Sequence, residues 1–476
     1  MLFNSIAFLI FLPIVFSLYW FALKKNLKLQ NILLIIASYI FYGWWDWRFL
    51  ILLVASSCTD FFLGLAIGKQ EDAKKRKRLL ILSLIINLGI LGFFKYFNFF
   101  VDSFISSFAS LGVHLDSRTL NIILPVGISF YTFQSLSYTI DIYRRQLEAR
   151  KNLLNYLAFV SFFPQLVAGP IERARNLLPQ FEKARVFTYE NGADGLKLML
   201  WGFFKKVVVA DNCGVWANSI FNNSENISGP TLLLGAVFFT FQIYGDFSGY
   251  SDIARGLAKL FGFELMKNFN LPYFSRSMRE FWQRWHISLS TWFKDYVYIP
   301  LGGSRCSKLR QILNTLITFT LSGFWHGANW TFIIWGFLNG LFMIPGIIFN
   351  RPVAKDLPSP GKILPSIKDS IAMIVTFFLA VIAWIFFRSQ DLSQAFSIIG
   401  KMFSAEPLKT NYLRPEVLLA IAMLLIIEWL QREKDHPLKI DSKHIAVRWL
   451  IYLFVLLAIL YLGNYTSPLQ FIYFQF

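Results

Sequence analysis

Two histidines, His286 and His326, carry the most chemical potential in this sequence. They fall within one polar stretch, residues 280–330, which reads EFWQRWHISLSTWFKDYVYIPLGGSRCSKLRQILNTLITFTLSGFWHGANW between long apolar runs. An imidazole at that depth can take a proton from an attacking hydroxyl and return one to a leaving thiolate, which is acyl-transfer chemistry. Ionisable groups inside a membrane are costly and by default mark a functional site. The bland reading of His326 is a satisfied histidine bridging two helices. The bland reading of His286 is a ring on an interfacial helix anchored by Trp282 and Trp285.

Acyl transfer also needs donors for the developing oxyanion. Asn329 and backbone amides opened near Gly327 are candidates, with Trp325 and Trp330 as neighbours. The run from Leu313 to Gly323 reads as an apolar helix, and Gly323 and Gly327 as the places where it opens or another backbone comes close. At helical spacing Trp282, Trp285, His286 and Leu289 share a side. Arg284, Lys294 and Arg305 can attract an acidic carrier or a phosphate-bearing thioester donor, although the basicity of a loop also accounts for them.

Other groups are weaker candidates. Asp246 and Asp252, in QIYGDFSGYSDIARG, would point about 240° apart on a helix, so they need not form a carboxylate pair. Gly245 and Gly249 make regular helix doubtful there, and a polar network lining a cavity is the reading preferred for Asp246. His114, His436 and His444 fall in connecting loops. No nucleophile elbow, phosphate-binding loop, dinucleotide fingerprint or metal motif stands in a suitable context, so no metal and no tightly bound cofactor is expected. The cysteines Cys58, Cys213 and Cys306 have no pairing pattern; Cys58 reads as a small buried hydrophobe.

These residues need a membrane bundle to position them. Of 476 residues, 55% are hydrophobic and only 16% charged, and mean hydropathy is +0.50. A soluble chain of this length requires more polar surface. Many runs approach the roughly 20 residues that span a hydrocarbon core. The fold class is therefore all-α: a polytopic transmembrane bundle of about eleven to thirteen helices, re-entrant segments included. Residues 1–476 form one integral-membrane domain. The first apolar run reads as a retained helix.

The net charge of +18 is not a nucleic-acid signature. Lys24, Lys25 and Lys28, then Lys74 to Arg78, then Arg144, Arg145, Arg150 and Lys151 cluster in short loops, as in cytoplasmic loops. The loop with Arg351, Lys355, Lys362 and Lys368 reads likewise. Leu120 to Ile140, with Pro125, Gly127, Gln134 and Asp141, is expected to face the protein interior. Pro164, Gly169 and Pro170 mark a re-entrant or interfacial corner. Leu196 to Ala210 is too polar, with Lys205 and Lys206, for a lipid-facing span. Counting spans puts the two histidines on stretches that begin from opposite faces, which suits a channel through the membrane.

Several stretches together resemble the membrane-bound O-acyltransferases, specifically the alginate O-acetylation type. They are LPVGISFYTFQSLSYTIDIYRR (124–145), FFPQLVAGPIER (162–173), QIYGDFSGYSDIARGLAKLFGF (242–263), NFNLPYFSRSMREFWQRWHISLSTWFKDYVYIPLGGSR (268–305), GFWHGANWTFIIWGFLNG (323–340) and FIYFQF (471–476). The resemblance implies a bundle with a central funnel, His326 as the catalytic histidine and His286 as the second one. It implies acetyl groups taken from acetyl-CoA or an acylated carrier at the cytoplasmic face of the bacterial inner membrane. It further implies a periplasmic acetyltransferase partner protein and a polysaccharide as final acceptor. Peptidoglycan O-acetylation and teichoic-acid D-alanylation are the alternatives within that family. A transporter or flippase is the alternative outside it, since broken helices also occur there.

Overall fold

The computed structural model of the chain describes residues 1–109, 111–112, 120, 122–350, 359–465 and 469–472. His114, Arg351, Lys355 and the last four residues of FIYFQF lie outside them. The described residues form twenty α-helices and no strand, as a chain in lipid must satisfy its backbone groups within itself. Among the described residues, six helices are long and apolar enough to cross a membrane: Arg48–Lys69, Ala73–Ala109, Gly229–Leu260, Trp330–Ile348, Ile367–Arg388 and Ile445–Leu462. Two shorter apolar helices, Ile6–Ala22 and Leu27–Gly43, precede them. Ile6, Leu9, Ile10 and Ile14 are exposed on the first helix, as befits a lipid-facing surface. The chain is a multi-pass membrane protein.

Two compact units are resolved. The first comprises Met1–Gly192 with Leu257–Leu265, and the second Ala193–Gly256 with Met266–Phe476. In the first unit, the expected span from Leu120 becomes helical only at Ile128. Pro125 and Gly127, whose φ is +76°, set that start. From there Ile128–Tyr143 is buried along nearly its whole length, so its polar residues do face protein. The predicted corner is a four-residue helix, Phe163–Leu166, followed by a buried turn. The Asp60 carboxylate is solvated by protein alone, accepting from Ser83 Oγ at 2.7 Å and Asn87 Nδ2 at 2.9 Å.

Further along the chain, Tyr189–Phe203 leads into a π-helical turn, Phe204–Ala210. This explains the polar run there: Lys205 is buried, Lys206 nearly so, and both are ion-paired. Lys205 Nζ lies 2.6 Å from Asp252, and Lys206 Nζ lies 2.7 Å from both Asp211 and Asp246. Gly229–Leu260 is one continuous helix of 32 residues, so the expected irregularity at its glycines is absent. A Cβ on Gly249 would lie 2.7 Å from the Gly202 carbonyl oxygen. The glycine is there for close approach. Asp246 and Asp252 diverge as their angular spacing predicts, each held by a different lysine, and they form no carboxylate pair.

The helices Lys308–His326 and Trp330–Ile348 form a tight hairpin. Gly323 does not open the first helix, which runs on to His326. A Cβ at Gly323 would fall 2.2 Å from the Phe332 carbonyl oxygen and 2.9 Å from Gly336 Cα. The hairpin therefore closes backbone to backbone. We expect Gly323→Ala to force the helices apart at a cost of about 1–3 kcal/mol, read as a lowered thermal midpoint in detergent. An unchanged midpoint would show the contact to be slack.

Candidate functional site

His286 and His326 converge in the second unit, with ring centroids 6.5 Å apart. Both are buried. They reach this position by different means.

His326 is the last residue of Lys308–His326, and Gly327 leaves helix with an extended backbone. The His326 ring meets the edges of Trp325 at 4.9 Å, Trp335 at 5.0 Å and Phe387 at 5.4 Å. Trp335 stacks in turn on Trp384 at 5.5 Å. These rings exclude water from one side of the imidazole, so charges developing there would be weakly screened.

His286 sits where sequence periodicity led us to expect continuous helix. The chain instead forms two short helices, Met278–Arg284 and Ile287–Phe293, and His286 stands between them with φ of 42° and ψ of 55°. Ser277 caps the first helix by accepting from the Glu280 amide at 3.2 Å. The Trp285 amide closes that helix on the Phe281 carbonyl at 2.8 Å. A left-handed backbone is uncommon for a residue with a side chain and costs energy unless its surroundings hold it. The hold comes from residues 268–270, which run alongside: Asn270 N–H donates to Arg284 O and Ile287 N–H to Asn268 O, both at 2.9 Å. Phe247, on the Gly229–Leu260 helix, lies edge-on to the His286 ring at 4.5 Å.

The other predicted residues have mixed fates. Trp325 is at the site, 6.4 Å from the His286 ring and packed on His326. Asn329 caps Trp330–Ile348 by accepting from Thr331 N–H at 2.9 Å, and its Nδ2 donates to Gln390 O at 2.9 Å. Its carboxamide is thus engaged in holding the hairpin turn. Arg284 is buried against Glu280 at 2.8 Å and donates to Asn270 O at 3.3 Å. It supports the loop beside His286 rather than offering charge at a surface. Asp246 belongs to the Lys206 ion cluster, and Asp252 lines a separate small cavity of about 30 Å³.

A larger cavity of about 390 Å³ lies in the same unit; neither histidine lines it, but sequence neighbours of both do. Its wall includes Ile287, next in sequence to His286, and Ser322, one turn before His326. Gln311, Thr315, Thr318 and Ser322 line it from the Lys308–His326 helix. Their spacing of four, three and four residues makes one polar stripe ending at His326. Reading Leu313 to Gly323 as an apolar helix leaves this stripe out, although the spacing of its polar residues is the signal that finds it. Arg279 and Lys294 bring positive charge to the same cavity. Among the described residues, no group of three or more His, Cys, Asp or Glu side chains is placed to hold a metal ion.

This arrangement can be set beside known proteins. Residues 143–357 match the family model described as MBOAT, membrane-bound O-acyltransferase family. The chain is 42% identical over 406 residues to the probable alginate O-acetylase AlgI of Pseudomonas aeruginosa, covering 85% of this chain and 75% of that one. It is 38% identical over 503 residues to the probable alginate O-acetylase AlgI of Pseudomonas putida, covering all of both. Similarity extends to the peptidoglycan O-acetyltransferase of Helicobacter pylori, 36% identical over 445 residues that cover 87% of this chain and 82% of that one. A helical membrane bundle, the family-model match and likeness along the whole chain lead to one conclusion: this acyltransferase belongs to the membrane-bound O-acyltransferase family.

Proposed function

We propose that the chain passes acetyl groups from a cytoplasmic thioester donor across the bacterial inner membrane, for O-acetylation of an exopolysaccharide such as alginate. The observation that carries this reading is the convergence of His286 and His326, whose ring centroids lie 6.5 Å apart in a buried aromatic setting. The attacking hydroxyl loses its proton to a histidine nitrogen as its oxygen bonds to the thioester carbon. The C–S bond then breaks, and the thiolate departs with that proton. His326 is the base we assign to this step. The hydroxyl stripe and the positive charge of Arg279 and Lys294 suit a thioester carried on a polar, phosphate-bearing arm, whether acetyl-CoA or an acylated carrier. A soluble partner on the outer side would complete delivery to the polymer. The Helicobacter pylori relative makes peptidoglycan the second acceptor to test.

The test compares cells with and without the chain for alkali-labile acetate on secreted polysaccharide and on peptidoglycan. Loss from the polysaccharide alone supports the reading. Loss from peptidoglycan alone transfers it to the second acceptor, and no change in either overturns it. A companion prediction concerns the cavity. Thr318→Trp should fill it and lower acetylation by about tenfold or more, since misplacing a reacting group by an ångström costs about a hundredfold. Normal acetylation in that variant, with normal protein level, would mean that the donor enters elsewhere.

A further inference from the structure

We infer that Asn268 is a positioning residue that fixes the tautomer and ring orientation of His286; this rests on the acyl-transfer reading above. Asn268 is buried in the extended segment beside the His286 break. Its side-chain oxygen Oδ1 accepts from the Ser288 backbone N–H at 3.1 Å and from Ser288 Oγ at 2.9 Å. The same oxygen lies 3.2 Å from His286 Nδ1.

The direction of these bonds follows from donor chemistry alone. Ser288 is the second residue of Ile287–Phe293, so its amide lacks an intrahelical acceptor and must donate outward. Rotating the Asn268 carboxamide by half a turn would set an NH₂ group against that N–H, two donors face to face. The oxygen is therefore the atom turned toward Ser288. His286 Nδ1 also lies 3.4 Å from Ser288 Oγ, but that hydroxyl's one hydrogen goes to the nearer Asn268 Oδ1, and an Nδ1 facing the same oxygen at 3.2 Å is bonded only if it carries a hydrogen. A neutral imidazole has only one, so the lone pair resides on Nε2.

The main chain makes the same clasp. The Asn268 carbonyl accepts the Ile287 amide at 2.9 Å, and Asn268 Nδ2 donates to Ser251 Oγ at 3.4 Å. One side chain thus braces the left-handed backbone of His286, sets its ring rotation and ties both to the Gly229–Leu260 helix. His286 then acts through Nε2 as a hydrogen-bond acceptor. The logic is that of a ligand or base whose far nitrogen is held by an orienting partner.

The experiment places Asn268→Leu, Asn268→Asp and His286→Ala in cells lacking the native chain. It measures alkali-labile acetate on the secreted polysaccharide, membrane abundance, and thermal midpoint in detergent. Leucine keeps the branched outline of asparagine and removes the acceptor, so acetylation should fall about 10- to 100-fold. Aspartate keeps an acceptor at Oδ1 and should hold acetylation within about threefold of wild type. A merely structural role predicts the opposite order, because a new buried carboxylate disturbs folding more than leucine does. Where Asn268→Leu does not accumulate, Asn268→Ala is read in its place.

Two results overturn the inference while His286→Ala is inactive: wild-type acetylation in Asn268→Leu, or an aspartate variant that is folded and as inactive as leucine. Full acetylation in His286→Ala is a separate outcome, which removes the paired-histidine reading and the positioning role with it.

Discussion

Replacing His326 by alanine is expected to abolish acetylation while leaving the protein in the membrane. The ring is buried against Trp325, Trp335 and Phe387, so its removal leaves an aromatic pocket that still packs. Chemistry, by contrast, loses the group proposed to move the proton in both directions. General acid–base catalysis contributes about 10²–10⁴-fold, and residual activity at or below a hundredth of wild type is the expected reading. His326→Gln, which keeps polarity and approximate size without a titratable nitrogen, should be equally inactive. Acetate on the polymer, normalised to membrane abundance by blot, decides the matter. Wild-type acetylation in either variant would return His326 to the role of a helix-bridging histidine.

The sequence made the class of fold legible because hydropathy alone requires it. Apolar runs of spanning length have few alternatives to helix in lipid. Chemistry was legible through rarity, since only two histidines fall in the central polar stretch. What was hidden depended on partners distant in sequence. His286 looked like one position on a continuous helix. Its left-handed backbone follows from a strand-like clasp by Asn268 and Asn270, which lie across a loop. Arg284 and Asn329 read as functional because a charge or amide near a histidine invites that reading. Their partners, Glu280 for one and Thr331 and Gln390 for the other, are those of a scaffold.

Glycine was ambiguous for a related reason. At Gly323, Gly245 and Gly249 the residue type signals freedom or proximity, and sequence cannot tell which. The structure answers proximity in each case: the Phe332 carbonyl meets Gly323, the Lys205 carbonyl Gly245, and the Gly202 carbonyl Gly249. Gly127, with its positive φ, instead uses conformational freedom. Lys205 and Lys206 posed a similar problem. Adjacent lysines suggest a surface, yet the π-helical turn Phe204–Ala210 turns each toward its own acid on Gly229–Leu260.

That arrangement makes Lys206 the position whose loss should cost most in stability. Its ammonium donates to Asp211 Oδ1 at 2.7 Å and to the Leu469 carbonyl at 3.2 Å, and stands 2.7 Å from Asp246 Oδ1 as an ion pair. Both carboxylates are almost wholly buried, and Asp246 Oδ2 also accepts the Ile472 amide at 2.6 Å. Lys206→Met would leave two carboxylates facing each other without a cation. Breaking a buried pair from one side costs about 3–5 kcal/mol, enough to remove most folded protein from a marginally stable chain. Phe247 follows Asp246 directly and touches the His286 ring, so surviving protein should also acetylate poorly. The compensating variant Lys206→Met with Asp211→Asn and Asp246→Asn removes all three charges and keeps an acceptor for Ile472. It should recover abundance and thermal midpoint to near wild type, since a neutral replacement of a buried ionic group is often tolerated. If Lys206→Met alone kept the wild-type midpoint, the cluster would not be held together by charge, and the account of why Lys206 stands among these acids would fall.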